Sequence, residues 1–331
     1  MQKKVLVTGA GGFIGHHLTS YLIDRGYWVR GVDVKNPEYE PTRAHDFQLL
    51  DLRRWDNCLQ ATAGMDEVYA LAAEMGGIGF IETNKAVIVR DSTMINMHTI
   101  EASRVNGVQR FFYTSSACIY PGYKQREANA TALKEEDAYP ADAEDGYGWE
   151  KLYMERTCRH YREDFGLETR TVRFHNIFGP LGTYDGGREK SPAAMCRKIA
   201  LAPDGGTIDV WGDGLQTRSY CYIDDCVEGI YRLMRSGYPH PLNLGQDRLI
   251  SVNELVGMVA KIAGKTIRRR HDLTKPQGVR GRNSDNSKLR EVLNWEPQVS
   301  LEDGLTKTYS FISGELEKAN RLPSRATSAV A

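Results

Sequence analysis

Tyr147 and Lys151 lie four positions apart in the stretch YGWEK. Residues at this spacing share one face of a helix, so the ammonium would lie beside the phenol. A nearby ammonium lowers the pKa of a phenol, and the resulting tyrosinate can accept a hydroxyl proton as a general base. Ser116, in the stretch YTSSACIYP, is the candidate hydroxyl that steadies the same oxygen. YxxxK alone also fits an ordinary pair on a helix surface.

Three glycines predict a dinucleotide site near the amino terminus. Gly9, Gly12 and Gly15 form GxxGxxG between a short β-branched run and a segment with helical apolar spacing. A turn of this kind needs a positive φ and lets the backbone approach a pyrophosphate at a helix N-terminus. Phe13, Ile14, Leu71 and Ala72 complete the predicted lining around the dinucleotide.

Two aspartates are the candidate contacts to the adenosine end of the cofactor. Asp33 follows the second predicted strand, 18 positions beyond Gly15. A carboxylate there accepts from ribose hydroxyls and repels a 2′-phosphate, which favours NAD over NADP. Asp33 also fits a plain turn residue at a strand end. Asp51, in LLDLRR, is predicted to reach the adenine, or alternatively to cap the helix that follows.

The elements that must position these groups alternate along the chain. The runs KKVLVT, YWVRGVDV, EVYALAA, VQRFFYTSS and LETRTVRF read as strands, with helical stretches between them. This alternation predicts an α/β fold with a doubly wound parallel sheet and a smaller C-terminal substrate-binding domain. We expect residues 1–175 and a return segment near 213–245 in the NAD-binding domain. Residues 176–212 and 246–320 would form the substrate domain, and 321–331 a flexible tail.

Composition excludes several classes of function. Lys plus Arg and Asp plus Glu both total 43 in 331 residues, so no basic excess predicts binding to nucleic acid or a membrane surface. The apolar run VLV is too short for a signal peptide, and no run is long enough for a membrane helix. The six cysteines show no metal-type spacing, which predicts no metal and free thiols in a cytoplasmic protein.

GxxGxxG, SSA and YxxxK, in this order and at these separations, resemble the extended short-chain dehydrogenase/reductase superfamily over the whole chain. The resemblance implies a Rossmann-type domain with NAD as the cofactor. Many relatives with a dehydratase role carry an Asp-Glu pair where this chain has Ala117-Cys118. The absence of that pair argues against dehydration, and a thiol occupies the site instead.

Further blocks narrow the resemblance. AAEMGGIGF, SSACIYP, RFHNIFGP, GGREKSPAAMCRK, WGDGLQTRS and VRGRNSDN occur in this order, and the set resembles the GDP-mannose 3,5-epimerase family over roughly residues 3 to 312. The implied substrate is GDP-mannose or a related GDP-hexose, which is oxidised transiently at C4, inverted at C3 and C5, and reduced again. The resemblance implies that Cys118 is the base and Lys190 the acid of the inversion. Taken alone, Cys118 also fits a buried small hydrophobe and Lys190 a solvated charge.

The same resemblance implies a set of substrate contacts: Gly76, Ser116, Ala117, Cys118, Asn176, Glu189, Lys190, Ser191, Lys198, Gln216, Thr217, Arg218 and Arg282. Arg and Lys in this set suit a pyrophosphate, because fork-like guanidinium donors match phosphate oxygens. Taken singly, each Arg also fits a surface charge and Gly76 a helix-start turn. Arg280 competes with Arg282 for the predicted role.

Three other functions remain open from the sequence. A GDP-4-keto-6-deoxymannose epimerase-reductase also inverts C3 and C5, but Asp33 and the block GGREKSP argue against it. A nucleotide-sugar 4-epimerase would leave Cys118 idle. A cofactor-binding regulatory protein would not need Ser116, Tyr147 and Lys151 together. The apolar faces in IVRDSTMINMHTI and LYMERTCRHY predict a homodimer with a four-helix interface, as in relatives.

Overall fold

The fold is built on one parallel sheet. The computed structural model describes residues 2–323. Its strands are β1 (Lys4–Thr8), β2 (Trp28–Asp33), β3 (Asp46–Leu49), β4 (Glu67–Ala70), β5 (Arg110–Ser116), β6 (Glu168–Phe174), β7 (Ile177–Phe178), β8 (Thr207–Trp211), β9 (Thr217–Arg218), β10 (Cys221–Tyr222), β11 (Leu242–Leu244), β12 (Ile250–Ser251), β13 (Arg268–Asp272) and β14 (Gly281–Arg282).

Helices cover both faces of this sheet and continue beyond it. They are α1 (Phe13–Asp24), α2 (Trp55–Thr62), α3 (Ile78–Thr83), α4 (Lys85–Val105), α5 (Asp145–Phe165), α6 (Ser191–Leu201), α7 (Ile223–Arg235), α8 (Val252–Ile262), α9 (Ser287–Leu293) and α10 (Leu301–Lys318). No helix within residues 2–323 is long and apolar enough to cross a membrane.

The sheet order places a crevice beside the first strand. Within the described residues, seven strands pair in parallel in the order β11-β6-β5-β4-β1-β2-β3. The order reverses between β1 and β4, which is the switch point where ligands of doubly wound sheets bind. Val5, Leu6 and Val7 of β1 are fully buried, as expected for a central strand covered by helices on both faces. The predicted α/β doubly wound fold is confirmed.

Smaller strand pairs and helices lie beyond β6. The strands β12, β9 and β14 form a three-stranded sheet, and β13 pairs with β8. β11, far along the chain, returns to the edge of the large sheet beside β6. The division of the chain into 1–175 with 213–245, and 176–212 with 246–320, stays a prediction. Of the predicted tail, residues 324–331 lie outside the described residues, whereas Arg321 donates to Asp185 at 2.8 Å.

The stretch YTSSACIYP turns the chain at the carboxyl end of β5. The strand ends at Ser116, and residues Ala117–Ile119 form one turn of 3₁₀-helix. The Ser116 hydroxyl caps this turn by accepting from the Cys118 backbone N–H at 3.1 Å. Helix α5 packs against the turn so closely that a Cβ on Gly148 would strike the Cys118 carbonyl oxygen. The thiol is therefore held at the edge of the sheet between β5 and α5.

A buried ion pair joins α5 to β6 below this edge. Glu155 and Arg173 meet at 2.7 Å, and each side chain is only 3% exposed. Glu155 also accepts from the Ser115 hydroxyl at 2.5 Å, and Arg173 donates to the Glu135 carbonyl at 2.7 Å. Such a pair fixes the helix against the strand, and removing one partner leaves the other charge buried without compensation.

We expect Glu155→Gln to lower the free energy of unfolding by about 3 kcal/mol, because Arg173 would keep its buried charge without a counterion. Urea unfolding followed by circular dichroism measures this change. Glu302→Gln is the matched control, since Glu302 pairs with Arg248 with both side chains about half exposed, and such pairs contribute less than about 1 kcal/mol. Equal effects of the two substitutions would contradict the buried-pair assignment.

Candidate active site

One cavity of about 1030 Å³ runs along the carboxyl ends of the central strands. It extends from the glycine turn after β1, past Ser116 and Tyr147, to the loop before α6. The predicted site residues that line it are Gly9, Gly12, Phe13, Ile14, Gly15, Asp33, Asp51, Leu71, Ala72, Gly76, Ser116, Ala117, Cys118, Tyr147, Lys151, Asn176, Glu189, Lys190, Ser191, Lys198, Gln216, Arg218 and Arg282. The fold therefore brings residues from distant parts of the chain to one site.

The glycine turn leaves room that any side chain would fill. Gly9 has φ +71°, and a Cβ on it would lie 3.0 Å from the Ala72 backbone nitrogen. A Cβ on Gly15 would collide with the Gly9 carbonyl, so α1 can approach β1 only with glycine there. The Thr8 hydroxyl accepts from the backbone N–H groups of Leu71 and Ala72, both at 3.0 Å, and ties β4 to the turn. The unpaired N–H groups in the first turn of α1 border the cavity.

The Asp33 carboxylate accepts hydrogen bonds from neighbouring backbone N–H groups. Its Oδ2 accepts from the Gly11 N–H at 2.9 Å, and its Oδ1 accepts from the N–H groups of Val34 and Lys35 at 2.7 and 3.2 Å. The carboxylate thus orders the glycine turn while it lines the cavity. Its two oxygens have further lone pairs that can accept from ribose hydroxyls.

Asp51 does not cap a helix. It forms a bidentate pair with Arg53, whose Nη1 also donates to Asp91 of α4 at 2.9 Å. Helix α2 begins at Trp55 with Arg54 in the N-cap position and no capping side chain. The side chain of Asp51 thus faces Arg53 where both residues line the cavity, and its contact with the adenine stays a prediction.

Tyr147 and Lys151 lie on the buried face of α5, as their spacing predicts. Tyr147 is 6% and Lys151 2% exposed, and the Lys151 Nζ donates to the Thr114 carbonyl at 3.0 Å. Burial raises the pKa of Tyr147, negative charge on Cys118 adds to this, and a hydrogen bond with Ser116 acts against it. Burial lowers the pKa of Lys151, while the charges of Glu150 and Cys158 act against that change. Both groups are therefore pushed toward their neutral forms.

Cys118 is the one partly exposed cysteine among those described; the other five are buried. The Arg282 Nη1 donates to its Sγ at 3.5 Å. The same guanidinium donates to Gln125 at 2.6 Å and forms an ion pair with Glu144. Arg282 therefore joins the Cys118 sulfur, Gln125 and Glu144 at this point of the cavity.

Lys190 lies at the start of α6 and lines the same cavity as Cys118. Its side chain is exposed to solvent where it lines the cavity. Burial lowers the pKa of Lys190, and negative charges on Cys118 and Cys226 act against this shift. A lowered pKa brings an ammonium closer to the range in which it can donate a proton.

Basic side chains lie at the far end of the cavity. Burial lowers the pKa of Lys198, whose Nζ donates to the Asp209 carbonyl at 2.7 Å. Arg218 is half-buried beside the same space, and burial lowers its pKa as well. Gln216 donates from its amide to the Trp211 carbonyl at 2.9 Å, while its Oε1 accepts no hydrogen bond from the described residues. This end offers several donors to an anionic ligand.

Asn176 and Ser191 are held at the wall of this end. Asn176 has φ +45° between β6 and β7, and its amide donates to the Ser219 carbonyl at 2.9 Å. The Ser191 hydroxyl lies 2.9 Å from the Tyr220 hydroxyl. The carboxylate of Glu189 accepts hydrogen bonds from the Arg197 guanidinium at 2.8 Å and from the Gly187 N–H at 2.7 Å.

Thr217 is the one predicted site residue that does not line the cavity. Its hydroxyl donates to the Ala128 carbonyl, and its own carbonyl accepts from Arg218. Its role as a substrate contact stays a prediction. The structure also separates the two arginines that the sequence left in competition, since Arg282 lines the cavity whereas Arg280 pairs with Asp213 at 2.8 Å.

Sequence reasoning missed several residues around the site. A Cβ on Gly77 would meet the Glu189 carbonyl at 2.5 Å, and the Gly77 N–H donates to the Arg188 carbonyl at 3.0 Å. The segment MGGIGF therefore contacts the loop that carries Lys190. The second glycine was the only signal for this contact. Glu144, the partner of Arg282, gave no signal because nothing in its local pattern links it to residue 282.

The residues present fit a bound dinucleotide. The cradle at Gly9, Gly12 and Gly15 is open where a Cβ would fill it, and Asp33 lies where a second strand ends. The Tyr147 and Lys151 side chains border the same cavity. The parallel sheet, the glycine turn and the serine, tyrosine and lysine side chains together define a dinucleotide-dependent oxidoreductase-type fold of the short-chain class.

Comparison with known proteins agrees with this class. Residues 5–245 match the model of the NAD dependent epimerase/dehydratase family. The chain therefore belongs to this family, and NAD is its cofactor. Within it, the chain is 50% identical over 317 residues to GDP-mannose 3,5-epimerase 1 of Oryza sativa subsp. japonica, covering 95% of this chain and 83% of the relative. GDP-mannose 3,5-epimerase of Arabidopsis thaliana shows the same identity and coverage.

Solved structures show the same fold. The crystal structure of UDP-glucose 4-epimerase with UDP-glucose from Thermotoga maritima superposes with a TM-score of 0.85 at 26% identity. It covers 95% of this chain and 99% of the other chain. A UDP-glucuronic acid 4-epimerase mutant from Bacillus cereus, solved with NAD, has a TM-score of 0.79 at 26% identity, with coverage of 94% and 99%.

We expect Gly9→Ala to weaken NAD binding by about tenfold or more, because its Cβ would press on the Ala72 backbone in the cradle. The NAD content of the purified protein and its affinity by calorimetry measure this effect. Gly26→Ala is the matched control, since Gly26 has φ +83° with no atom within 4 Å of the added Cβ. Equal loss of NAD from both variants would show that backbone strain alone explains it.

Proposed function

We propose that this protein is a GDP-mannose 3,5-epimerase that converts GDP-mannose to GDP-L-galactose and GDP-L-gulose. The observation that carries the proposal is the meeting of Cys118 and Lys190 in one cavity with Ser116, Tyr147 and Lys151. The names of the relatives at about 50% identity support the substrate. A 4-epimerase would need the serine, tyrosine and lysine but would have no use for the thiol and the second ammonium.

Tyr147 is proposed to act at the sugar C4. Its phenolate takes the proton of the C4 hydroxyl, and the Ser116 hydroxyl donates to the same sugar oxygen. NAD, held by the glycine turn and Asp33, would supply a reversible hydride acceptor at C4, so no external oxidant or reductant would be consumed. The Lys151 ammonium favours the phenolate, because a positive charge beside a phenol stabilises its ionised form.

Cys118 and Lys190 are proposed to invert C3 and C5. A C4 ketone acidifies the hydrogens on both neighbouring carbons, so one base and one acid on opposite faces of the sugar suffice for inversion. The Cys118 thiolate removes a proton, and the Lys190 ammonium returns one from the other face. Arg282 donates to the Cys118 sulfur at 3.5 Å and so fixes the position of the proposed base.

The remaining predicted contacts are proposed to hold the GDP portion and the sugar hydroxyls. Lys198 and Arg218 supply positive charge at the far end of the cavity, and Arg282 supplies it beside Cys118. A diphosphate suits these groups, because guanidinium and ammonium donors match its oxygens. Asn176, Ser191 and Gln216 supply neutral hydrogen-bonding groups to the same space, and the backbone at Gly76 borders it.

We expect the purified protein to introduce deuterium at C3 and C5 of GDP-mannose in D₂O without added cofactor, as proton NMR would show. Cys118→Ala should slow this exchange by about a hundredfold or more, because loss of a positioned acid or base costs at least that factor. Cys58→Ala is the matched control, since Cys58 is buried in α2 outside the cavity lining, and should exchange like the wild type.

Unchanged GDP-mannose after long incubation with the wild type would contradict the proposed epimerase activity. Exchange that survives in Cys118→Ala would remove the thiol from the mechanism. Inversion of a UDP-sugar at C4, with no exchange at C3 or C5, would point instead to a nucleotide-sugar 4-epimerase.

We also propose a homodimer in which α4 and α5 pair with the same helices of a second copy. Large apolar side chains are exposed at helical spacing on both: Val87 and Met94 on α4, and Trp149 and Tyr153 on α5, between 39% and 53% exposed. Two neighbouring helices with one apolar face each form a four-helix interface when two copies meet.

Light scattering on the protein eluted from a size-exclusion column should give a mass of about twice the chain mass of 37.2 kDa. Tyr153→Glu should shift this mass toward that of the monomer, because a charge in an apolar interface opposes association. Leu273→Glu is the control, since Leu273 is 68% exposed and lies just after β13. A wild-type monomer, or equal masses for the two variants, would contradict the proposed interface.

We propose a cytoplasmic location because the cysteines are free thiols. The six cysteines are all unpaired in the structure, which suits a reducing compartment. Fractionation of the source cells tests this location, and recovery outside the cytosol would contradict it.

A further inference from the structure

Glu150 places a second buried charge directly beside the proposed catalytic lysine. Its side chain has no exposed surface, and its Oε2 lies 3.9 Å from the Lys151 Nζ. Its Oε1 accepts from the Asn96 amide of α4 at 2.7 Å, and that amide is itself buried. Its Oε2 accepts no hydrogen bond from any residue between 2 and 323. A buried carboxylate oxygen left free beside an ammonium requires an explanation.

The Lys151 ammonium has few other partners. Its Nζ donates once, to the Thr114 carbonyl at 3.0 Å, and lies 5.0 Å from the centroid of the Tyr113 ring. Burial opposes the charge on this nitrogen, and the Glu150 carboxylate acts in the opposite direction. A buried ammonium without a counterion loses its proton readily.

We propose that Glu150 is a positioning residue whose carboxylate, fixed by Asn96, keeps the Lys151 ammonium charged and oriented toward Tyr147. The position of Asn96 on α4 holds the carboxylate from the neighbouring helix. The role concerns the proposed reaction only through Tyr147, because the charge on Lys151 is a property of the protein itself. Failure of the sugar assignment would therefore not remove the pair.

Other ionisable groups face this pair from three elements. Tyr113 of β5 is fully buried, and burial raises its pKa well above the ordinary value. Cys158 lies on α5, and burial raises its pKa too. Tyr147 and Cys118 lie on the cavity side of the pair. The carboxylate of Asp91 on α4 forms ion pairs with Arg53 and Arg90. Glu150 is therefore the nearby carboxylate that has no arginine partner of its own.

Removing the negative charge should move the titration of Lys151. Lys151 would lose its proton at a lower pH, because the carboxylate no longer favours the ammonium. For Tyr147 two effects oppose each other, because the charge on Glu150 contributes to the raised pKa of Tyr147, whereas the Lys151 ammonium that Glu150 maintains favours the phenolate. The alkaline limb that Lys151 sets in a pH profile of turnover would therefore shift toward acid.

The first test follows the ε-carbon of Lys151 by NMR in protein labelled with ¹³C-lysine, without any sugar. Lys151→Arg identifies the resonance. We expect Glu150→Gln to lower its titration midpoint by about one unit or more, since opposite charges at this separation interact strongly in a buried site. Glu150→Asp, which keeps a carboxylate, should fall between the wild type and Glu150→Gln.

Glu155→Gln is the matched control for an amide in place of a buried carboxylate on the same helix. Glu155 pairs with Arg173 rather than with Lys151, so this variant should lose stability and leave the Lys151 midpoint unchanged. Should Glu150→Gln not fold, Asn96→Ala replaces it and should shift the midpoint in the same direction by a smaller amount.

An unmoved midpoint in folded Glu150→Gln, or equal shifts in Glu150→Gln and Glu155→Gln, would overturn the inference. With GDP-mannose as substrate, the alkaline limb of the pH profile of Glu150→Gln should be displaced toward acid relative to the wild type. A shifted Lys151 midpoint in a protein that does not turn over GDP-mannose would sustain the pair and reject the proposed substrate.

Discussion

The opposition between burial and charge governs this site. Tyr147 and Lys151 of the proposed machinery are buried, whereas Cys118 is partly exposed and Lys190 is exposed. Burial alone would leave Tyr147 and Lys151 neutral. The Glu150 carboxylate, which accepts from the Asn96 amide, supplies a negative charge beside Lys151.

The parallel sheet makes such partners available. The carboxyl ends of β1, β4 and β5 meet at one edge, so the glycine turn, the segment after β4 and the turn at Ser116 border the same cavity. The later part of the chain then supplies Lys190 and Arg282 from the opposite side. A groove closed by two parts of the chain can expel water around a sugar while each part stays rigid.

Local patterns predicted the parts of the site that lie close together in the sequence. The glycine turn, the strand ending at Asp33 and the four-residue spacing of Tyr147 and Lys151 depend on backbone geometry and helical periodicity, which a sequence displays directly. The same patterns said nothing of Gly77 or Glu144, because the partners of these residues lie over a hundred positions away. Thr217, predicted by resemblance, turns its hydroxyl to Ala128 instead.

The sequence by itself determined the alternation of the main strands with helices, the glycine turn and the shared helix face of Tyr147 and Lys151, since these follow from spacing and side-chain chemistry. The roles of Cys118 and Lys190 rest on the resemblance and stay a prediction. Only the tertiary structure decided which of Arg280 and Arg282 reaches Cys118, what Asp51 binds, and which carboxylate stands beside Lys151. The physical reason is that charge compensation in a buried site depends on distances between elements, and those distances arise only when the helices pack on the sheet.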